Sequence, residues 1–206
     1  MKRFFAGGSG AALIFLTLLN FGPSVAQDAP RRVRGTIERI DGTSLAIKMR
    51  DGTALTVKLK ENAGVVAVVS ATLSDIKPGT YVGIAAMPQP DGSQRALEVH
   101  IFPESMRGVG DGHRPWDLQA ASTMTNGNVE QRVAGVEGQT LQIKYKDGEK
   151  SVSVPSQTQI VAFQPAAASD LKAGQKIFIA RAAKLADGSY EAARIAFGKD
   201  GLTPPM

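Results

Sequence analysis

His100, Met106, His113 and Met124 fall within one short stretch of the chain, and Trp116, the only tryptophan, lies among them. Imidazole and thioether ligands together suit soft copper(I), so these four residues form the candidate metal site, with copper as its candidate cofactor. The competing reading makes them two unrelated surface histidines and two packing methionines. No tight spacing such as H-x-x-x-H joins them, and they assemble only if the segment folds back on what precedes it. His100 stands between Val99 and Ile101 in a strand-like run, which points it to the solvent side. Acid–base catalysis would rest on His113 with Asp111 or Asp117. No nucleophile is marked beside them: there is no G-x-S-x-G, no cysteine and no H-E-x-x-H. Gly108, Gly110 and Gly112 lack the Lys-Ser/Thr ending of a phosphate loop. The chain therefore reads as a non-enzyme.

The same stretch also has a structural reading. In "RGVGDGHRPWDL" (107–118) Trp116 is the one large side chain of a polar, Gly- and Pro-containing segment. Burying a tryptophan removes on the order of 200 Å² from water. At about 25 cal/mol per Å² that is worth about 5 kcal/mol, enough to pin a loop to a barrel. Pro115 presets the backbone beside it, and Arg114 with Asp117 is expected to close a salt bridge around the ring. Trp116, Arg114 and Asp117 are thus the expected structural anchor.

The elements that must position these residues come in two copies. "IERIDGTSLAIKMRDG" (37–52) aligns without a gap on "VAGVEGQTLQIKYKDG" (133–148), setting Ile37 against Val133 and Leu45 against Leu141. "SDIKPGTYVGIA" (74–85) aligns on "SDLKAGQKIFIA" (169–180), and "PDGSQRALEVHIF" pairs with "ADGSYEAARIAF". A period of this length means tandem domains, because solenoid repeats run to about 20–50 residues. Within each copy the apolar residues alternate: Leu45, Ile47 and Met49, then Leu55, Val57 and Leu59 beyond the Asp51-Gly52 turn. The "SDIKPG" and "SDLKAG" pieces read as one helical turn each, with Ser74 or Ser169 as cap. Strand, strand, strand, short helix, strand, strand is the element order of the OB-fold. The expectation is an all-β protein of two tandem five-stranded OB-like barrels, 33–102 and 127–198. An ordered Gly/Pro/Trp connector (103–126) joins them, and a flexible tail (199–206) follows. The stretch Gln27–Arg32 is expected to be disordered.

Compartment is read from the first residues. Lys2 and Arg3, an apolar run from Ala11 to Phe21 and small residues at Ser24 and Ala26 have the layout of a secretory signal peptide over 1–26, with cleavage after Ala26. The run is too short for a bilayer core, which needs about 20 residues. A periplasmic or secreted location follows as an expectation, without integral membrane spans. The chain has no cysteine, so disulfides and cysteine metal sites are excluded. Loss of Lys2 and Arg3 lowers the formal charge from +5 to +3, which does not mark a nucleic-acid or membrane-surface protein. Aromatic residues, at 6%, are too few for a base-stacking groove.

The paired repeats, "RGVGDGHRPWDL" and the following "STMTNGNV" (122–129), resemble an uncharacterised family of exported bacterial proteins with tandem OB-like β-barrel repeats. Its members often carry the label metal transporter permease. The resemblance covers nearly all of the mature chain. It implies fold and export and brings no catalytic residues with it. A permease would need several apolar spans, whereas this sequence has one removable apolar segment. The His, Met and Trp set also resembles the contacts of a small exported OB-fold copper chaperone family. The function expected is non-enzymatic binding or adaptation, with an envelope protein or a small ligand as partner. The alternative is a copper-like metal protein.

Overall fold

The computed structural model describes residues 29–135 and 138–205. The signal peptide expected over 1–26 lies outside them. The first half forms β1 (Arg31–Asp41), β2 (Ser44–Met49), β3 (Ala54–Ser70), β4 (Tyr81–Pro88) and β5 (Gln94–Ile101). A connecting segment carries β6 (Gly112–Pro115). The second half forms β7 (Thr123–Gly135), β8 (Gly138–Tyr145), β9 (Gly148–Pro155), β10 (Gln159–Ala166), β11 (Lys176–Lys184) and β12 (Tyr190–Gly198). The protein is all-β; helical structure among the described residues is confined to short 3-10 turns. No described helix is long and apolar enough to cross a membrane.

The barrels do not follow the repeat boundaries. One closed ring runs β1-β2-β3-β12-β11 and back to β1. The other runs β7-β8-β9-β5-β4 and back to β7. Each ring has the OB strand order, but its last two strands come from the opposite repeat. The expected barrels of 33–102 and 127–198 are therefore corrected to two barrels built from exchanged halves. The cores state it directly. Val33, Ile37, Leu45, Ile47 and Val57 pack with Ile177, Ile179, Ile195 and Phe197, whereas Val82, Ile84 and Val99 pack with Leu141, Ile143 and Val152. The 3-10 turns obey the same exchange. The turn Leu73–Asp75 is followed by Ile76 in the second core, and the turn Ala168–Asp170 by Leu171 in the first.

β3 runs on for 17 residues without a turn, leaving the first barrel and carrying β4 and β5 into the second. Its counterpart is broken into β9 and β10 and makes the reverse journey. The two departing segments pair antiparallel, Val65 against Ala166 through Ser70 against Val161. Parallel seams flank them in matched register: Val65 beside Ile195, and Ile160 beside Val99.

Leu45 and Leu141 occupy equivalent places, each on the second strand of its barrel, opposite Val57 and Val152. Ile37 and Val133 do not. Ile37 pairs with Ile47, while Ile143 is paired by Val129, so the true counterpart of Ile37 lies four residues before Val133. Val133 is 43% exposed where Ile37 is sealed. Gly35 and Gly127 fix this register. A side chain at either would collide with a carbonyl oxygen, of Lys48 or Lys144, and with the isoleucine beside it.

A third cluster lies outside both barrels, where their outer faces meet. Val66, Val68, Val161, Phe163, Phe178 and Ala196 form it, and Met106, Val109 and Trp116 of the connector cover it. The tail expected to be flexible also lies down here. Leu202 packs on the cluster, and Pro204 and Pro205 are buried. The chain turns back across Gly198, where the Leu202 carbonyl leaves no room for a Cβ. Arg31 and Arg32, expected to be disordered, begin β1. The connector ends earlier than expected, since Thr123–Asn126 already belong to β7 and pair with both β4 and β6.

Candidate ligand groove on the second barrel

The connector residues sort into two environments. Trp116 lies against Phe178 with Arg32 stacked on its ring, the guanidinium carbon 3.9 Å from the ring centroid, and Arg114 at 5.7 Å. The expected Arg114–Asp117 salt bridge is replaced. Asp117 accepts two bonds from Arg34, at 2.7 and 3.1 Å, and lies 3.3 Å from Arg32, while Arg114 donates to the Gly110 carbonyl at 2.7 Å. The reason is reach: β1 of the first barrel runs beneath the connector and presents both arginines to it. The Arg34 bonds hold the Asp117 carboxyl below its usual range. At its other end the connector ties to the second barrel, where Asp111 accepts from the Lys146 amide at 2.8 Å.

The metal-site candidates are divided by the strand faces. His113 lies across from Thr125 in the β6–β7 ladder, with its Nδ1 2.8 Å from the Thr125 hydroxyl and its ring stacked near Tyr145. Met124 is the neighbour of Thr125 in the strand, so it points to the opposite face, and it is buried. Met106 belongs to the third cluster. His100 is 2% exposed, not the solvent-facing residue expected. It faces away from the barrel core as read, but the third cluster covers that face, and its ring tilts against Phe163. Its Nε2 lies 3.2 Å from Oε1 of buried Glu98, off the axis a hydrogen bond needs. Among the described residues no group of three or more His, Cys, Asp and Glu is placed to hold a metal ion. Burial, with Lys150 and Arg114 adding to it, lowers the His113 pKa and favours its neutral form.

A different set of residues, none singled out from the sequence, lines a shallow open groove of about 500 Å³ on the second barrel. The turn between β4 and β5 supplies Gln89, Pro90, Asp91 and Ser93, and β5 adds Arg95. From the other repeat come Thr140 of β8 and Ser151 and Ser153 of β9. Strand exchange builds the site, because only the closing pairs Gln94–Val152 and Arg95–Ser153 bring the two repeats edge to edge here. The walls are held locally. Asp91 Oδ1 accepts from the Ser93 amide at 3.0 Å and from its hydroxyl at 2.7 Å. Gln89 Nε2 donates to the Met87 and Pro88 carbonyls. Ser153 donates to the Gln94 carbonyl, and Gln142 donates to Ser151.

Repeat symmetry puts an equivalent face on the first barrel, and there ion pairs span it. Lys58 stands where Ser153 does, opposite Glu191 where Arg95 stands. The Lys58 ammonium lies 2.6 Å from Asp187, the counterpart of Asp91, and Lys60 lies 3.2 Å from Glu191. Lys58, with Ser189, holds the Asp187 carboxyl well below the usual carboxylate range.

No family model, curated protein or solved structure matches this chain. The groove must be read from its own chemistry. Strands 2 and 3 of an OB barrel, with the loop between its last two strands, form the face by which such barrels take oligonucleotides and oligosaccharides. Here those are β8, β9 and the β4–β5 turn.

Proposed function

We propose that this chain is a non-enzymatic binding protein of the bacterial cell envelope that holds a small polar ligand on the outer face of its second barrel. One observation carries the reading: a groove of about 500 Å³, within the roughly 300–1,000 Å³ span of small-molecule sites, lies on the ligand face of an OB barrel and is lined by convergent hydroxyl, amide and charged groups. Neither histidine lines it, and the Ser93 hydroxyl, with its amide, is held by Asp91 as part of the β4–β5 turn. The connector supports the barrels: it bonds Arg34 on one and Lys146 on the other and caps the cluster between them. Export rests on the signal-peptide layout of residues 1–26.

Hydrogen exchange on the mature chain, with and without the low-mass fraction of an envelope extract, tests this. Slowed exchange confined to 89–95 and 148–155 is the expected result. Slowing confined to the connector or the first barrel, or chemical conversion of the ligand, overturns it. Amino-terminal sequencing of the exported protein should begin at Gln27.

A further inference from the structure

We infer that the groove takes a neutral oligosaccharide; the inference rests on the binding role proposed above and names its ligand class. Five of the eight lining side chains are hydroxyls or a primary amide: Ser93, Thr140, Ser151 and Ser153 on short stems, and Gln89. A sugar's hydroxyls suit this lining: they donate to Ser93 and Ser153, whose own protons go to Asp91 and the Gln94 carbonyl, and accept from Ser151, whose oxygen takes the Gln142 amide. Short side chains lose little rotamer freedom on binding, so a polar site of this kind does not need the large apolar burial of a drug-like pocket.

Charge narrows the class. Asp91 and Arg95 are the only charged lining residues and are of opposite sign. A polyanion would meet one cation and one anion, where single-stranded nucleic acid needs a basic track with stacking aromatics. The groove has neither. The Asp91 carboxylate instead offers acceptors to the hydroxyls of an uncharged ligand. Pro90 supplies the single flat apolar surface, suited to the C–H face of a pyranose.

The first barrel provides the contrast. Lys58 and Asp187 fill the equivalent position, so a lysine at 153 should fill the groove in the same way. Nuclear magnetic resonance on the 15N-labelled mature chain tests the proposal. The probes are maltopentaose and chitotetraose, with an acidic galacturonate tetramer and a thymidine tetranucleotide for comparison. The expected result is movement of the Ser93, Arg95, Thr140 and Ser153 amides by a neutral probe, weakened at least tenfold in Ser153→Lys. Thr140→Lys gives the same loss by an independent route, and both variants must keep the wild-type melting temperature to count. Movement by the acidic or nucleotide probes alone overturns the sugar class and leaves the binding role standing. No movement by any neutral probe at millimolar concentration, while envelope extract still slows exchange at 89–95, also overturns the sugar class alone. Silence in both experiments overturns both readings.

Discussion

Where Lys58 reaches Asp187 on the first barrel, the second barrel sets Ser153 near Asp91. Where Glu191 takes Lys60, the second barrel carries Arg95, and Pro155 in place of the lysine. Around these differences the two faces are alike: the Asp-Gly-Ser turn recurs at 91–93 and 187–189, with each aspartate accepting from the serine two residues on. Three differences in a shared frame, Ser153, Arg95 and Pro155 for Lys58, Glu191 and Lys60, thus set a face spanned by Lys58–Asp187 and Lys60–Glu191 against the face that carries the groove. Ion pairs this exposed add little to stability. Their consequence is shape, and duplication allowed one copy to keep the frame while the other opened it.

The comparison breaks most severely if the barrels prove independent. Because each core contains strands from both repeats, Ile47→Ala and Ile143→Ala should each cost about 2–5 kcal/mol and lower one shared unfolding transition. Calorimetry showing two transitions, only one of which moves, would contradict the exchange. Trp116→Ala comes next. It removes the half-buried ring between Phe178 and Arg32, and chemical denaturation should show a loss of about 2 kcal/mol with faster proteolysis of residues 107–118.

Acid should loosen the same connector. The folded pKa of His113 lies below its unfolded value of 6.5, so its contribution is complete above that pH and is lost as protons are taken up below it. Asp117 is likewise depressed, and its contribution is present above 3.8 and fades as pH falls through its folded value. Trp116, as sole tryptophan, reports both. Its fluorescence should hold from pH 8 to 7 and change as the solution is acidified, with the Asp117→Asn variant lacking the most acidic step. The smallest effect on stability belongs to the outer faces. Ser153→Lys and Lys58→Ser should leave the melting temperature nearly unchanged while reversing which barrel face is concave, as read by crystallography of the two variants.

Much of this architecture was legible in the sequence, and the parts that were not share a cause. Alternation at Leu45–Met49 and Leu141–Tyr145 and the Asp-Gly turns identify strands whichever barrel they join. Nothing local distinguishes β4 and β5 folding onto their own repeat from crossing to the other. Gapless alignment misplaced Val133 because β7 and β8 stay paired further beyond Val129 and Ile143 than β1 and β2 do beyond Ile37 and Ile47, while the "RGTIE" and "NGNVE" strings around Gly35 and Gly127 carried the true register. His100 was read correctly as facing away from the barrel interior. A bulge between Ala85 and Ala86 puts Ala96 and Val99 into one core, and Glu98 and His100 under the connector, which alternation alone does not reveal. The groove was invisible for a different reason: serine, threonine and glutamine form no motif, and its walls lie some fifty residues apart in the chain until the seam closes.

That seam depends on the exchange, which a cysteine-free chain lets one probe cleanly. Thr36 pairs with Lys176 across the repeats, whereas barrels confined to single repeats would set Asn128, the counterpart of Thr36, beside Lys176. Facing residues of an antiparallel ladder lie within disulfide reach. On mild oxidation of the folded protein, the double variant Thr36→Cys with Lys176→Cys should cross-link within one chain, and Asn128→Cys with Lys176→Cys should not. The opposite pattern would contradict the exchanged barrels and, with them, the groove.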